Sequence, residues 1–219
     1  MLPLVFAITF HEAAHGFVAW RLGDDTAFRM GRVTFNPLKH IDLFGTIIIP
    51  ALLIISPSPF VFGYAKPVPV NFRALKRPRR DMVLVALAGP GTNIALAVIS
   101  ALLMHIANLV PGETGVWLIK TLLTSVWLNL MLAVFNMLPL PPLDGGRVAV
   151  GLLPREFAMP LARLERYGIF ILIGVIFLLP YVTAKMGLEV NLLAWVIGVP
   201  VSSLLQAILT ITGTGYILS

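Results

Sequence analysis

The chain has 219 residues, 58% of them apolar and only 12% charged, with a net charge of +6 and no cysteine. A soluble domain carries about 25% charged and about 45–50% apolar residues, so this sequence lacks the polar side chains to coat a soluble surface. Without cysteine there are no disulfides and no thiolate ligands, so a metal site has to be built from the four histidines and the carboxylates.

The apolar residues come in blocks rather than stripes, and blocks of roughly 20 residues match the hydrocarbon core of a bilayer. Residues 1–22 read as the first membrane helix, with Trp20 and Arg21 as interface anchors. No basic stretch precedes them and no small-residue cleavage site follows, which argues against a signal peptide. Residues 24–42 are mixed and polar, and Gly31, Asn36 and Pro37 predict short strands and turns. Residues 43–55 are apolar but short and broken by Pro50, which suits a re-entrant segment; residues 56–71, rich in Pro, Gly and Val, read as extended.

Residues 82–110 form the second predicted span, and 111–115 a tight turn. The third, 116–138, is closed by Pro139, Pro141 and Pro142, which a helix cannot accommodate in succession. A short helix is expected over 145–153, a charged interfacial connection over 155–166, and fourth and fifth spans over 167–184 and 192–212. The expected fold is an all-α integral membrane protein: a polytopic helical bundle with a re-entrant segment and a small β region on the cytoplasmic side. It reads as one membrane-embedded domain, with its core over 1–150 and accessory helices over 155–219.

Ten of the sixteen Lys and Arg lie between Arg21 and Arg80, and Arg147, Arg155, Arg163 and Arg166 follow the third span. The excess of cations in cytoplasmic loops then places both regions inside the cell. Because 24–42 and 72–80 both belong inside, 43–62 has to enter and leave on one side. The basic run Arg73, Lys76, Arg77, Arg79 and Arg80 has no accompanying aromatic or glycine pattern, so it reads as topological and not as a nucleic-acid surface.

His11-Glu12-Ala13-Ala14-His15 puts two imidazoles one helical turn apart on one face, with a carboxylate between them. That spacing lets both rings reach one zinc ion and sets Glu12 beside the reacting water. The alternative, an exposed polar face of a soluble helix, is weak inside a span, where ionisable groups are costly. His15 precedes Arg21 by six residues, so the site lies roughly 9–15 Å from the inner surface. A hydrolytic zinc needs a third protein ligand and an open position. Asp144, past the prolines and before Gly145 and Gly146, can turn inward, although an Asp at this point also suits an ordinary helix N-cap. His40 is a rival ligand or a turn-stabilising residue. Asn93 either bonds the first helix or joins helices together, Gly89 and Gly91 read as packing positions, and His105 reads as structural.

The zinc-helix motif, Gly89-Pro-Gly-Thr-Asn93, and Asn136-x-x-Pro139-x-Pro141-x-Leu143-Asp144-Gly145 resemble, in order, the site-2 protease family of intramembrane metalloproteases. Asn36-Pro37-Leu-Lys-His40 and Gly63-Tyr-Ala-Lys-Pro-Val-Pro-Val-Asn71 extend the similarity over roughly residues 6–150. The resemblance implies one zinc per chain held by His11, His15 and Asp144, Glu12 as general base, and Asn136 as a polar positioning group or oxyanion partner. It also implies a three-helix catalytic core in a bacterial or archaeal cell membrane, cutting a transmembrane protein substrate near the cytoplasmic face in regulated proteolysis. Only ten residues precede His11, fewer than is usual in that family, and 111–115 leaves no room for the PDZ domain that some members insert. The rival reading is a small proton or metal-ion transporter that uses His11, Glu12 and His15 as a relay. A last expectation concerns 63–71, where Pro67 and Pro69 strip donors from one edge only, leaving Lys66, Val68 and Val70 free to pair with substrate or with the protein's own sheet.

Overall fold

The computed structural model describes residues 2–48, 51, 52, 55, 66–178, 182, 183, 185 and 192–218. Three helices are long and apolar enough to cross a membrane: α1 (Leu2–Leu22), α3 (Pro78–Ala107) and α4 (Gly112–Asn136). The short α2 (Thr26–Arg29) follows the first. Beyond the third come α5 (Asp144–Leu152), α6 (Arg155–Leu164), α7 (Gly168–Ile173) and α8 (Leu192–Ile211). At 1.5 Å per residue α1 is about 31 Å long, enough for the apolar core of a bilayer. Large apolar side chains such as Phe6, Ile99, Ile106 and Trp117 are exposed on the outside of the bundle, as lipid contact requires.

The second span begins four residues before the apolar run predicts. Pro78 takes a first-turn position where its missing N–H costs nothing, and Asp81 caps the helix by accepting from Arg77 N–H at 2.8 Å. Basic residues at the mouth of a span are invisible to a hydropathy window, yet they are helical here. α3 packs on α1, α4 and α5, and α8 covers the far half of the α3–α4 pair. There Ile197, Val201 and Ile208 close on Ala97, Ala101, Val126 and Leu130. His105 ties the same elements by donating to the Thr212 carbonyl at 2.8 Å, in keeping with its expected structural role.

The predicted strands of 24–42 are absent, and no strand occurs among the described residues. The polar residues that suggest turns act instead as helix-turn caps. Asp24 accepts from Thr26 N–H, Asn36 from Leu38 N–H, and Asp42 from Phe44 and Gly45 N–H. Such short acceptor side chains stabilise the first turn of a helix and compete with strand pairing. A short 3-10 turn (Pro37–His40) and a π-helical stretch (Leu43–Ile48) follow. Most of the expected re-entrant segment beyond Ile48 lies outside the described residues. So does the end of the expected fourth span, whose described part is α7 followed by a π-helical stretch (Gly174–Leu178).

Residues 66–71 are extended but pair with no strand. Lys66 N–H donates to the His40 carbonyl at 2.9 Å, and Val68 N–H donates to Glu12 Oε2 at 2.7 Å. The donor edge expected to pair with substrate or with the protein's own sheet is therefore taken at Lys66 and Val68 by a carbonyl and a carboxylate, while residues 63–65 lie outside the described residues.

The two ends of the 24–71 excursion meet. Lys76 N–H donates to the Leu22 carbonyl at 3.1 Å, and Asn71 N–H to Asp24 Oδ2 at 2.6 Å. The chain that leaves α1 thus returns to the same end of the bundle before α3 begins. Single cysteines introduced at Asp25 and Arg77 are expected to react with an impermeant maleimide from one and the same side of sealed vesicles. Labelling from opposite sides would rule out this arrangement.

Candidate metal centre

α1 brings His11 and His15 to a buried face against α3. A break at the end of α4 delivers the third group. After Asn136 the prolines stop the helix, and α5 restarts at Asp144 folded back on residues 137–141. Side chains at Gly145 and Gly146 would collide with the backbone of Met137 and Pro141, so this fold-back requires their absence. Asp144 stands in the first turn of α5 but makes no capping hydrogen bond. Its Oδ2 instead lies 3.2 Å from His11 Nε2 and 3.3 Å from His15 Nε2. The two imidazole nitrogens are 3.0 Å apart.

Which protons these atoms carry follows from backbone groups that cannot donate. The Val85 carbonyl lies 2.7 Å from His15 Nδ1, so that nitrogen bears the proton. For His11 the direction is set two residues away. Asn129 Nδ2 donates to the Ser125 carbonyl at 2.9 Å, which leaves Asn129 Oδ1 to accept from Asn93 Nδ2 at 2.9 Å. Asn93 Nδ2 also reaches the Ala7 carbonyl at 3.2 Å. Asn93 Oδ1 must then accept from His11 Nδ1 at 2.6 Å. With its proton on Nδ1, each ring in its neutral form presents a bare Nε2 to the other and to the carboxylate.

In that form three lone-pair atoms converge, and Asp144 Oδ2 is buried without a hydrogen-bond partner. Such a cluster is unstable in an apolar interior unless a cation occupies its centre. Zinc bonds of about 2.0–2.1 Å in tetrahedral geometry put ligand atoms roughly 3.3 Å apart, which these separations approach. α3 leaves the space open through Gly89, where a Cβ would overlap Nε2 of both histidines. Gly89 is therefore a close-packing position of α3 on α1, as expected, and borders the centre, whereas a Cβ at Gly91 would meet nothing within 4 Å.

His40 is buried but remote from this cluster, with Nε2 donating to the Thr34 carbonyl at 3.0 Å; it stabilises the turn and does not compete with Asp144. Asn93 does both things expected of it, bonding the first helix and joining helices. Asn136, at the C-terminal end of α4, donates from its amide to the Leu132 carbonyl of its own helix at 3.0 Å. The residue that sequence reasoning misses is Asn129, although an amide in an apolar span is itself a signal. Replacing Asp144 or His15 with Ala, or Gly89 with Ala, is expected to abolish zinc retention measured by metal analysis. Asn129→Leu is expected to weaken zinc affinity roughly 10- to 100-fold by releasing Asn93, as removal of outer partners does elsewhere. Full zinc occupancy in Asp144→Ala would overturn this ligand set.

Residues 104–180, which include Asp144, match Peptidase family M50. A relative from Bacillus subtilis (strain 168), provisionally named zinc metalloprotease YwhC, is 43% identical over 188 residues, covering 82% of this chain and 80% of its own. One from Mycolicibacterium smegmatis, provisionally named zinc metalloprotease Rip2, is 30% identical over 80% of this chain and 65% of its own. No solved structure matches the chain significantly. The extent and identity of the Bacillus match, together with a histidine–carboxylate cluster that fits zinc, make this chain a member of peptidase family M50, the site-2 protease family of zinc metalloproteases.

Proposed function

We propose that the protein hydrolyses peptide bonds within or near the transmembrane segments of membrane-anchored proteins, with His11, His15 and Asp144 as zinc ligands and Glu12 as general base. The observation that carries this reading is the convergence of His11 Nε2, His15 Nε2 and Asp144 Oδ2 on a helix long and apolar enough to span a membrane. A zinc ion held there supplies a Lewis acid that polarises the scissile carbonyl and acidifies a water molecule. Glu12, one residue from the first ligand, takes the proton from that water and passes it to the leaving amine nitrogen. Asn93, Asn129 and the Val85 carbonyl hold the proton of each imidazole on Nδ1 and aim Nε2 at the centre. Asn136, at the mouth of the break before Asp144, is proposed as a polar positioning group or oxyanion partner.

Substrate reaches such a site only as an unfolded stretch, since a helical segment hides its carbonyls in hydrogen bonds. A single-span protein bearing helix-weakening residues is therefore the expected substrate class. A role in regulated proteolysis, with the site opening toward the cytoplasm, accords with the basic residues gathered at the Arg21, Arg77 and Arg147 end of the bundle. The core over 1–150 and the helices beyond it are proposed to act as one domain.

A transporter would need a hydrated route across the bundle. The polar chain from His11 through Asn93 and Asn129 ends at Ser125 and Ser100, bonded to each other at 2.8 Å and neighboured by the apolar Ala97, Ala101 and Val126. In Glu12→Gln the amide is nearly isosteric but cannot take a proton, so zinc content and thermal stability should match wild type. Cleavage of a detergent-solubilised single-span substrate should fall at least ~100-fold. Residual activity above a few per cent would remove Glu12 from the role of base.

A further inference from the structure

We infer that Arg32 is a positioning residue for Glu12, acting through the backbone N–H of Val68. Gly31, at φ +63°, closes α2 with its own N–H on the Phe28 carbonyl and the N–H of Arg32 on the Ala27 carbonyl, each at 2.9 Å. A left-handed glycine at this point reverses the chain without strain. It delivers Arg32 to the interior, where the residue is 8% exposed. The guanidinium meets no carboxylate among the described residues. Nη2 donates to the carbonyls of Lys66 at 2.7 Å and Pro67 at 3.4 Å. On its other edge Lys66 donates to the His40 carbonyl at 2.9 Å, and Asn71 N–H pins the far end of the strip to Asp24 at 2.6 Å.

Between these anchors, Val68 donates its N–H to Glu12 Oε2 at 2.7 Å. Pro67 and Pro69 flank it, have no N–H and hold their φ near −65°, so neither can substitute for Val68 as donor. Holding a strip of backbone in place does not by itself call for a buried cation, because a neutral donor would satisfy the same carbonyls at lower desolvation cost. The cation is warranted where the strip must not shift. With Oε2 fixed, the torsions of the Glu12 side chain are set and Oε1 is the oxygen left for the reacting water. Misplacing a catalytic group by about 1 Å costs on the order of 100-fold in rate. The inference rests on Glu12 being the base, and its tests separate the two claims.

Two comparisons in the full-length, zinc-loaded protein decide it. Val68→Pro deletes only the N–H from the strip's donors, while Val68→Ala keeps the N–H and trims the side chain. kcat for a single-span substrate should be roughly 10- to 100-fold lower in the Pro variant than in the Ala variant, with KM and zinc content alike. Arg32→Met should show the same fall in kcat, and Arg32→Lys, which retains a donor, should recover part of it.

The second comparison reads the hydrogen bond itself. The sequence contains three Pro–Val bonds, at 67–68, 69–70 and 200–201. Labelling proline carbonyl carbons with 13C and valine nitrogens with 15N therefore isolates three amide signals. The Val68 signal should move in both Arg32→Met and Glu12→Gln, while Val201 stays. A Val68 signal unmoved in both variants, or equal kcat in Val68→Pro and Val68→Ala, would overturn the inference. Should Arg32→Met fail to fold, the Val68 pair and the Glu12→Gln spectrum still decide. An active Glu12→Gln enzyme whose Val68 signal has moved would refute the base and leave the strut standing.

Discussion

Two imidazole nitrogens and one carboxylate oxygen face one another across 3.0–3.3 Å inside an apolar bundle, with the Nδ1 proton of each ring engaged elsewhere. In water such a cluster would cost little, because solvent would fill the lone pairs. Buried, it can be held together only by a cation or by structure strong enough to force the groups into place. Much of the surrounding architecture answers that demand. α3 gives up a side chain at Gly89, α4 breaks before α5, and α5 begins with two glycines so that Asp144 can fold back.

The outer partners follow from the same constraint. A neutral histidine carries one proton, and which nitrogen holds it decides whether the ring is a ligand or a donor. Here the decision is made by carbonyls, the one backbone group that only accepts. Val85 sets His15 directly, while Ser125 sets His11 through two asparagines. The amide relay also joins α1, α3 and α4, so the forces that assemble the three spans and those that orient the metal ligands are the same hydrogen bonds. In the low dielectric of an apolar interior they are difficult to replace.

Glu12 is governed separately. It shares α1 with His11 and His15 but takes its hydrogen bond from the strip at Val68, and that strip is tied to the loop after α1 through Arg32, His40 and Asp24. The ligands thus depend on helix packing, and the carboxylate between them on a loop. This division allows the metal to stay bound while the carboxylate is adjusted. It also gives the short turns after α1 a purpose beyond connecting two spans.

The first three spans, the His11–Glu12–His15 face and the break that releases Asp144 were legible in the sequence, because each depends on residues a few positions apart. Helical period, apolar block length and the effect of prolines are local properties. Of the short strands and turns expected over 24–42 only the turns are present, and as helical ones, since the residues that favour turns also cap helices and only the placement of Asp24, Asn36 and Asp42 beside N–H groups decides between the two. Asn129, Gly89 and Arg32 gave no local sign of which residues they meet, although the amide of Asn129 in an apolar span is itself a signal. Their partners lie 36, 74 and 34 residues away respectively (Asn93, His15 and Lys66). Likewise Lys66 and Val68 looked like free strand donors until the tertiary structure set a carbonyl and a carboxylate against them. Sequence determined which groups could bind a metal and where the helices run. Only packing determined which proton each histidine carries, which oxygen of Glu12 is occupied and which glycine opens the space for the ion, because those depend on atoms brought together by the fold and on nothing in their own neighbourhood of the chain.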